Sequence, residues 1–460
     1  MTTAPTRTGS ESSVGAQLDR LPVGAVHRKV VAAVGLGLFF EIYEIFLSST
    51  MSATLSHDFG VRGTALKLVL ASSFVGMFFG AAFFGRLADR MGRRKAFLVG
   101  LSWFSACSLA GAFAPSPALL VLARFLAGVG IGAVYPVADS YLADVLPKEH
   151  RGRLASYAYT CSFLAVPFVA FLAWWLTQHS PLGVAGWRWL LALGAGGAVI
   201  VFALNRWLVE SPRWLADAGR LEEAQHALNT FAAGSHVPAA QIDAAPDDSH
   251  AGIGRPTQRG AALLRRAPYH RRVAMLTVFH LFQTYGYYGF GTLAALVLVN
   301  RGYTVTSSML FSGLSFLGYP IGSLMAIPLL ARFERKFLLV GSVVAIAGFG
   351  LLFATQSSVV AIVFFGFLTT ATSNVFSNVY HVYQAEIFPT SVRATAVGWT
   401  YSLSRLSSAA APFVLIPILD RYGAGAMFTV VATAMAVVIA AVLTLGPRTS
   451  RRSLEEINPV

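Results

Sequence analysis

The chain has 460 residues, of which 55% are hydrophobic and only 12% charged, and its mean hydropathy is +0.61. An ordinary soluble domain carries roughly 25% charged residues, so this composition excludes one and indicates a polytopic membrane protein. The formal net charge of +14 fits either nucleic acid or a membrane topology, and only the distribution of the basic residues separates the two.

In chain order, the first 25 or so residues are polar and lack the short apolar core of a secretory signal, which predicts a cytoplasmic tail over 1–29. Apolar runs long enough to cross a hydrocarbon core of ~30 Å follow near 30–55, 64–85, 96–114, 118–142, 153–176 and 187–208. A basic, polar stretch over 209–271 interrupts them; it contains "ADAGRLEEAQHALNTFAAG", which reads as an amphipathic helix. Six more runs lie near 272–299, 307–331, 336–354, 357–383, 394–419 and 424–446. These twelve are numbered span 1 to span 12, and a second cytoplasmic tail is expected over 447–460. With residue 1 inside, seven of the 35 Lys and Arg fall in the tails and 21 in the five inner loops. Five (Arg62, Lys67, Arg188, Arg301 and Arg421) fall in outer loops, and Arg124 and Arg405 fall within spans. That bias predicts both termini in the cytoplasm and explains the charge without nucleic acid. Cys107 and Cys161 lie in apolar segments and suggest no disulfide framework.

Repetition divides the spans. "DVLPKEHR", with Asp144, Pro147 and Arg151, recurs 242 residues later as "EIFPTSVR", with Glu386, Pro389 and Arg393. The turn "ADRMGRRK" after span 2 has a degraded copy, "ARFERK", at the same offset. Two independent loops sharing one offset predict an all-α membrane protein of two pseudo-symmetric six-helix bundles, 30–208 and 272–446, joined by the linker 209–271.

At these motifs the sequence resembles the major facilitator superfamily. "GRLADRMGRRK" (85–95) is similar to its signature loop, while "RFLAGVGIGA" (124–133), "YLADVLPKEHRGR" (141–153), "ESPRWL" (210–215) and "RTSRRSLEEI" (448–457) resemble its sugar-porter-like branch. Within that branch, "FEIYE" in span 1 and "SRLSSAAAP" in span 11 are similar to patterns of nicotinate permeases, aromatic-acid:proton symporters and organic-ion transporters. The resemblance implies a secondary carrier in a plasma (bacterial inner) membrane rather than an enzyme. No metal-ligand spacing, nucleophile elbow or phosphate-cradling loop argues otherwise. "GVGIG" lies inside an apolar span with no preceding strand, so helix packing accounts for it.

Charged residues inside spans are the candidate site, because each costs on the order of 2.5–3.5 kcal/mol near the bilayer centre. At about 1.5 Å rise per residue, Glu41, Gln283 and Arg405 each lie roughly 17 Å in from the same face. Glu41 and Glu44 share a helix face at i and i+3 and are the expected proton-coupling pair facing Arg405, with Glu44 the first choice. Arg405 is the expected anchor for a substrate carboxylate. Gln283, Tyr287, Tyr288, Asn374 and Asn378 are the expected cavity lining, by stacking and polar contacts. Arg124, some six residues in from the outer face, could snorkel, and its role reads equally as structural or gating. Asp139, His280 and His381 read mainly as interhelical hydrogen-bonding groups. At the cytoplasmic ends, Asp89, Arg93, Arg94, Asp144, Arg151, Glu386 and Arg393 are expected gating residues, with ion pairs within each repeated motif opening as the carrier opens inward.

The expected function is proton-coupled symport of a small organic monoanion, an aromatic or nicotinate-like monocarboxylate, by alternating access. A sugar or drug carrier of the same fold, an exporter included, is the alternative, and a non-transporting nutrient sensor a more distant one. The expected partners are the organic acid, the proton and the lipid bilayer, with no cofactor, no metal, no nucleic acid and a monomeric state.

Overall fold

The computed structural model describes residues 14–58, 60–61, 63–237, 263–450 and 454–458. Helices make up almost all of it, with no strand among the described residues. Backbone groups in hydrocarbon must be satisfied within their own segment, and helices do this.

Span 1 is Ala25–Asp58, span 2 Gly63–Met91, span 3 Arg93–Ala112 and span 4 Pro117–Val145. Span 5 is broken at Leu164 into Arg151–Phe163 and Ala165–His179, and span 6 is Gly186–Gly194 with Gly196–Leu204. The second half starts with span 7, Tyr269–Asn300; span 8 is Val305–Phe316 with Gly318–Arg332, span 9 Arg335–Thr355 and span 10 Val359–Glu386. Spans 11 and 12 form one helical run, Thr390–Leu445, broken at Gly423, whose φ of 79° lies in the region that favours glycine. Sequence expected two helices there; the glycine lets the chain turn without a loop. Local signals set several starts. The Ser116 side chain accepts the Leu119 N–H ahead of Pro117 at the head of span 4, and Thr304 caps span 8 in the same way.

The internal repeat extends to atomic contacts. A Cβ added at Gly76 would stand 2.1 Å from the Phe125 carbonyl oxygen, and one at Gly80 2.0 Å from that of Val129. In the second half, 242 residues on, Gly318 abuts the carbonyl of Phe367 at 2.3 Å and Gly322 that of Ala371 at 2.1 Å. Spans 2 and 4, like spans 8 and 10, thus meet backbone to backbone across small residues spaced four apart, the contact that membrane helices use where no hydrophobic force draws them together.

Both described chain ends lie on one face, called here the terminal face. Helix Val14–Arg20 is tied down by Asp19, whose Oδ1 takes Arg213 at 2.8 Å and the Lys148 N–H at 2.9 Å. Helix Leu454–Ile457 is held by buried Arg272, which donates to the Ile387 and Ile457 carbonyls and to Asn458 Oδ1 at 2.6–2.8 Å. The expected amphipathic helix is Leu221–Gly234; its apolar stripe is Ala224, Ala227, Leu228, Phe231 and Ala232, and Phe231 meets His27 of span 1 at 4.9 Å between rings.

Candidate functional site

Span 1 carries both acids, but they serve different neighbours. Glu44 is fully buried inside the first half; its Oε2 lies 2.5 Å from Arg124 Nη1, and its Oε1 accepts the Ser108 hydroxyl at 2.6 Å. Arg124 also donates from Nη2 to the Glu44 carbonyl at 2.7 Å. Gly194 of span 6 makes room, since a Cβ there would stand 2.2 Å from Glu44 Oε1. The Tyr43 hydroxyl fixes the helix rotation by donating to the Leu190 carbonyl at 2.8 Å. This corrects two expectations. Glu44 does not face Arg405, and Arg124 does not snorkel. Positions i and i+3 differ by about 60° around a helix, enough to send one acid into the bundle and the other to its edge. The close packing of span 4 on span 2 keeps the guanidinium in the interior.

Glu41, 1% exposed, turns toward the second half. It lies within electrostatic reach of Arg405 and of Asp139, and its Oε2 has no hydrogen-bond partner among the described residues. Arg405 is buried and held by two tyrosine hydroxyls. Nη1 donates to the Tyr288 hydroxyl at 3.0 Å and Nη2 to that of Tyr401 at 2.9 Å, with the guanidinium 5.0 Å from the Tyr401 ring centroid. Among the described residues, no carboxylate stands within ion-pair distance of it. Aromatic contacts join the halves around this point. Phe74 meets Tyr288 at 5.3 Å, Phe46 meets Tyr319 at 5.4 Å, and Tyr135 stacks near His381 at 6.0 Å. Tyr287 packs edge-on against Tyr288 at 4.8 Å.

The amides lie in the same interior. Gln283 Oε1 and Asn374 Oδ1 are buried without partners among the described residues. The Asn374 amide donates to the Tyr319 carbonyl at 2.6 Å, and that of Asn378 to the Asn374 carbonyl at 2.9 Å. His280 and Gln384 form a buried pair at 3.1 Å, and Gln384 reaches His381 at 3.3 Å. Asp139 accepts the Tyr159 hydroxyl at 2.5 Å. Unpaired buried acceptors beside a buried cation are what a polar cargo could complete. Sequence reasoning missed Ser108, Tyr319, Tyr159 and Tyr401. Of these only Tyr401 carried a signal, one helical turn before Arg405.

At the terminal face the ion pairs differ from those expected within each repeated motif. Asp144 pairs with Arg93 at 3.5 Å, not with Arg151, and Glu386 pairs with Arg335 at 3.5 Å. Both pairs obey the 242-residue offset. Arg151 instead bonds the Leu146 carbonyl and stands 3.7 Å from Asp19. An acid at the end of span 4 or span 10 faces the N-terminus of the next-packed span 3 or span 9, where the helix dipole and an arginine coincide. Ser211 donates to Asp144 at 3.2 Å, and Ser450 accepts from Arg335 at 2.7 Å, so the segment after each half's last span joins its clasp. Arg94 donates to Asn205 Oδ1 at 2.7 Å and through its backbone to Glu210 at 3.0 Å. Every described ion pair lies within one half or its appended segments. The side chains of Asp89 and Arg393 lie outside the described residues.

Two repeated bundles meeting at an interior of buried charges and unpaired polar atoms define a multi-pass membrane carrier rather than an enzyme. The chain belongs to the sugar (and other) transporter family, a branch of the major facilitator superfamily, whose model matches residues 29–460. It is 27% identical over 445 residues to the niacin transporter NiaP of Acinetobacter baylyi, covering 96% of this chain and 98% of that one. It is 31% identical over 200 residues to a gallate transporter of Pseudomonas putida, covering 43% of each. Among solved structures it matches the xylose transporter XylE from E. coli in a partially occluded inward-open conformation. That match has a TM-score of 0.75 at 18% identity and covers 93% of this chain and 100% of that chain. At that identity the likeness concerns the fold.

Proposed function

We propose that the protein is a proton-coupled symporter of a small aromatic or heteroaromatic monocarboxylate, working by alternating access between two six-helix halves. The observation that carries this reading is the Arg405 guanidinium, buried between the halves and held only by Tyr288 and Tyr401 among the described residues. Such a group is oriented for a planar carboxylate, and tyrosine rings beside it suit a flat cargo. That relatives are named for niacin and gallate, both aromatic carboxylic acids, supports the same cargo class.

Proton coupling follows from the acids. With Glu44 ionised, the Arg124 charge is neutralised in place; with Glu44 protonated, Arg124 loses its counter-charge and the contact between spans 1, 3 and 4 weakens. Glu41, at the interface and near Arg405, is the second proton-coupling acid. It competes with the cargo for the same guanidinium, so protonation of Glu41 favours anion binding. Asp144 with Arg93 and Glu386 with Arg335 act as gating clasps that keep each half rigid as it rocks. Gln283, Tyr287, Tyr288, Asn374 and Asn378 complete the lining.

A sugar cargo is the second reading, favoured by the unpaired Gln283 Oε1; an uncharged cargo leaves Arg405 without use. Uptake of labelled nicotinate, benzoate, gallate and xylose into proteoliposomes, with and without an inward proton gradient, separates the two. Gradient-driven accumulation of the acids alone supports the proposal. Accumulation of xylose alone, or acid uptake indifferent to the gradient, refutes it.

A further inference from the structure

Asp139 of span 4 takes no part in the Glu44 and Arg124 pair. Its Oδ1 accepts the Tyr159 hydroxyl, and the residue is half-buried, so the acid keeps an open edge. Among the described residues no lysine, arginine or histidine stands within ion-pair distance of it. Aromatic rings stand beside it. Tyr135, one turn earlier, lies nearly parallel to Tyr159, with centroids 5.6 Å apart and planes 12° apart, and to His381 of span 10 at 6.0 Å and 22°. The Tyr401 ring, which holds Arg405, lies within electrostatic reach of Arg405, Glu41 and Asp139 alike.

The interior thus sets two carboxyl groups against one guanidinium around a single ring. A plain monoanion bound at Arg405 brings a further negative charge into a poorly solvated space. Protonation of Glu41 removes one excess charge, and Asp139, when ionised, has no counter-charge among the described residues. A cargo with a positive pole at its far end supplies it, and tyrosine rings beside the acid suit an aromatic or quaternary cation.

We propose that the cargo is bipolar, a heteroaromatic zwitterion whose carboxylate sits on Arg405 and whose cationic or N–H-bearing ring edge sits on Asp139 beside Tyr135 and Tyr159. This rests on the reading of Arg405 as carboxylate anchor and adds the opposite end of the ligand. Asp139 is then a specificity-determining residue: it selects zwitterions over plain aromatic acids of the same size.

Calorimetric titration of the purified full-length protein compares benzoate with N-methylpyridinium-3-carboxylate. The zwitterion should bind about tenfold or more tightly, the range of a hydrogen-bonded charge contact. Asp139→Asn, nearly the same in shape, should erase that preference by weakening the zwitterion while benzoate binds no more weakly than before. Tyr159→Phe, which removes only the hydroxyl that orients the acid, should reduce the preference and serves if the first variant does not fold. Equal affinity of the native protein for both ligands, or an equal loss of both in Asp139→Asn, overturns the inference and leaves the anchor standing. Binding of neither ligand, or indifference of both to Arg405→Lys, overturns the anchor and the inference with it.

Discussion

Removing the charge of Glu44 leaves Arg124, fully buried, without its carboxylate, and loss of one partner from a buried pair costs about 3–5 kcal/mol. Glu44→Gln is therefore expected to lower the unfolding temperature and to abolish proton-driven accumulation while sparing substrate exchange, because the amide cannot carry the proton. Uphill uptake at the native level would remove Glu44 from the coupling role. At Arg405, lysine keeps the charge but cannot hold the Tyr288 and Tyr401 hydroxyls and a carboxylate together. Arg405→Lys should weaken acid binding by about 10- to 100-fold in calorimetry; unchanged affinity would place the anchor elsewhere.

Between helices, the backbone contacts at Gly80 and Gly322 leave no space for a side chain. Gly322→Leu should separate spans 8 and 10 and destabilise the second half by about 1–3 kcal/mol or more, read as a lower melting temperature in detergent; Gly341→Leu, at an open position, should not. The chain's last described segment offers a pH test. Glu334, between spans 8 and 9, accepts the Thr449 and Ser450 N–H groups. Burial raises its carboxyl, but those bonds outweigh it and leave the group below its ordinary 4.5. A lowered carboxyl contributes stability that is full above the unfolded value and lost as pH falls through the folded one. Protection of the Thr449 and Ser450 amides, taken relative to their intrinsic exchange at each pH, should hold at neutral pH and fall only below about pH 4.5; loss of that protection near pH 7 would contradict it.

For the whole molecule, alternating access needs halves that stay rigid while their interface changes. Each half carries its own clasp, Arg93 with Asp144 and Arg335 with Glu386, and no described ion pair joins the halves. Asp144→Asn should slow initial uptake several-fold, and exchanging the charges with Arg93→Asp and Asp144→Arg should restore part of it. A swap no better than the single variant would mean that Asp144 acts through Ser211 alone.

Local sequence carries whatever depends on period, length and repetition. Apolar runs of spanning length marked the crossings, and the 242-residue offset of two loops foretold a symmetry that reaches individual carbonyl contacts such as those of Gly80 and Gly322. Depth along a helix is also local, which is why the sequence alone sets Glu41, Gln283 and Arg405 at one level. Rotation about each helix axis and the pairing of distant side chains are not local. They follow from how spans 1, 3, 4 and 6 pack, and a turn of some 60° divided Glu41 from Glu44. Only the tertiary structure decided that Glu44 belongs to Arg124 and Ser108, because both partners lie more than sixty residues away and reach it through packing that no single segment encodes.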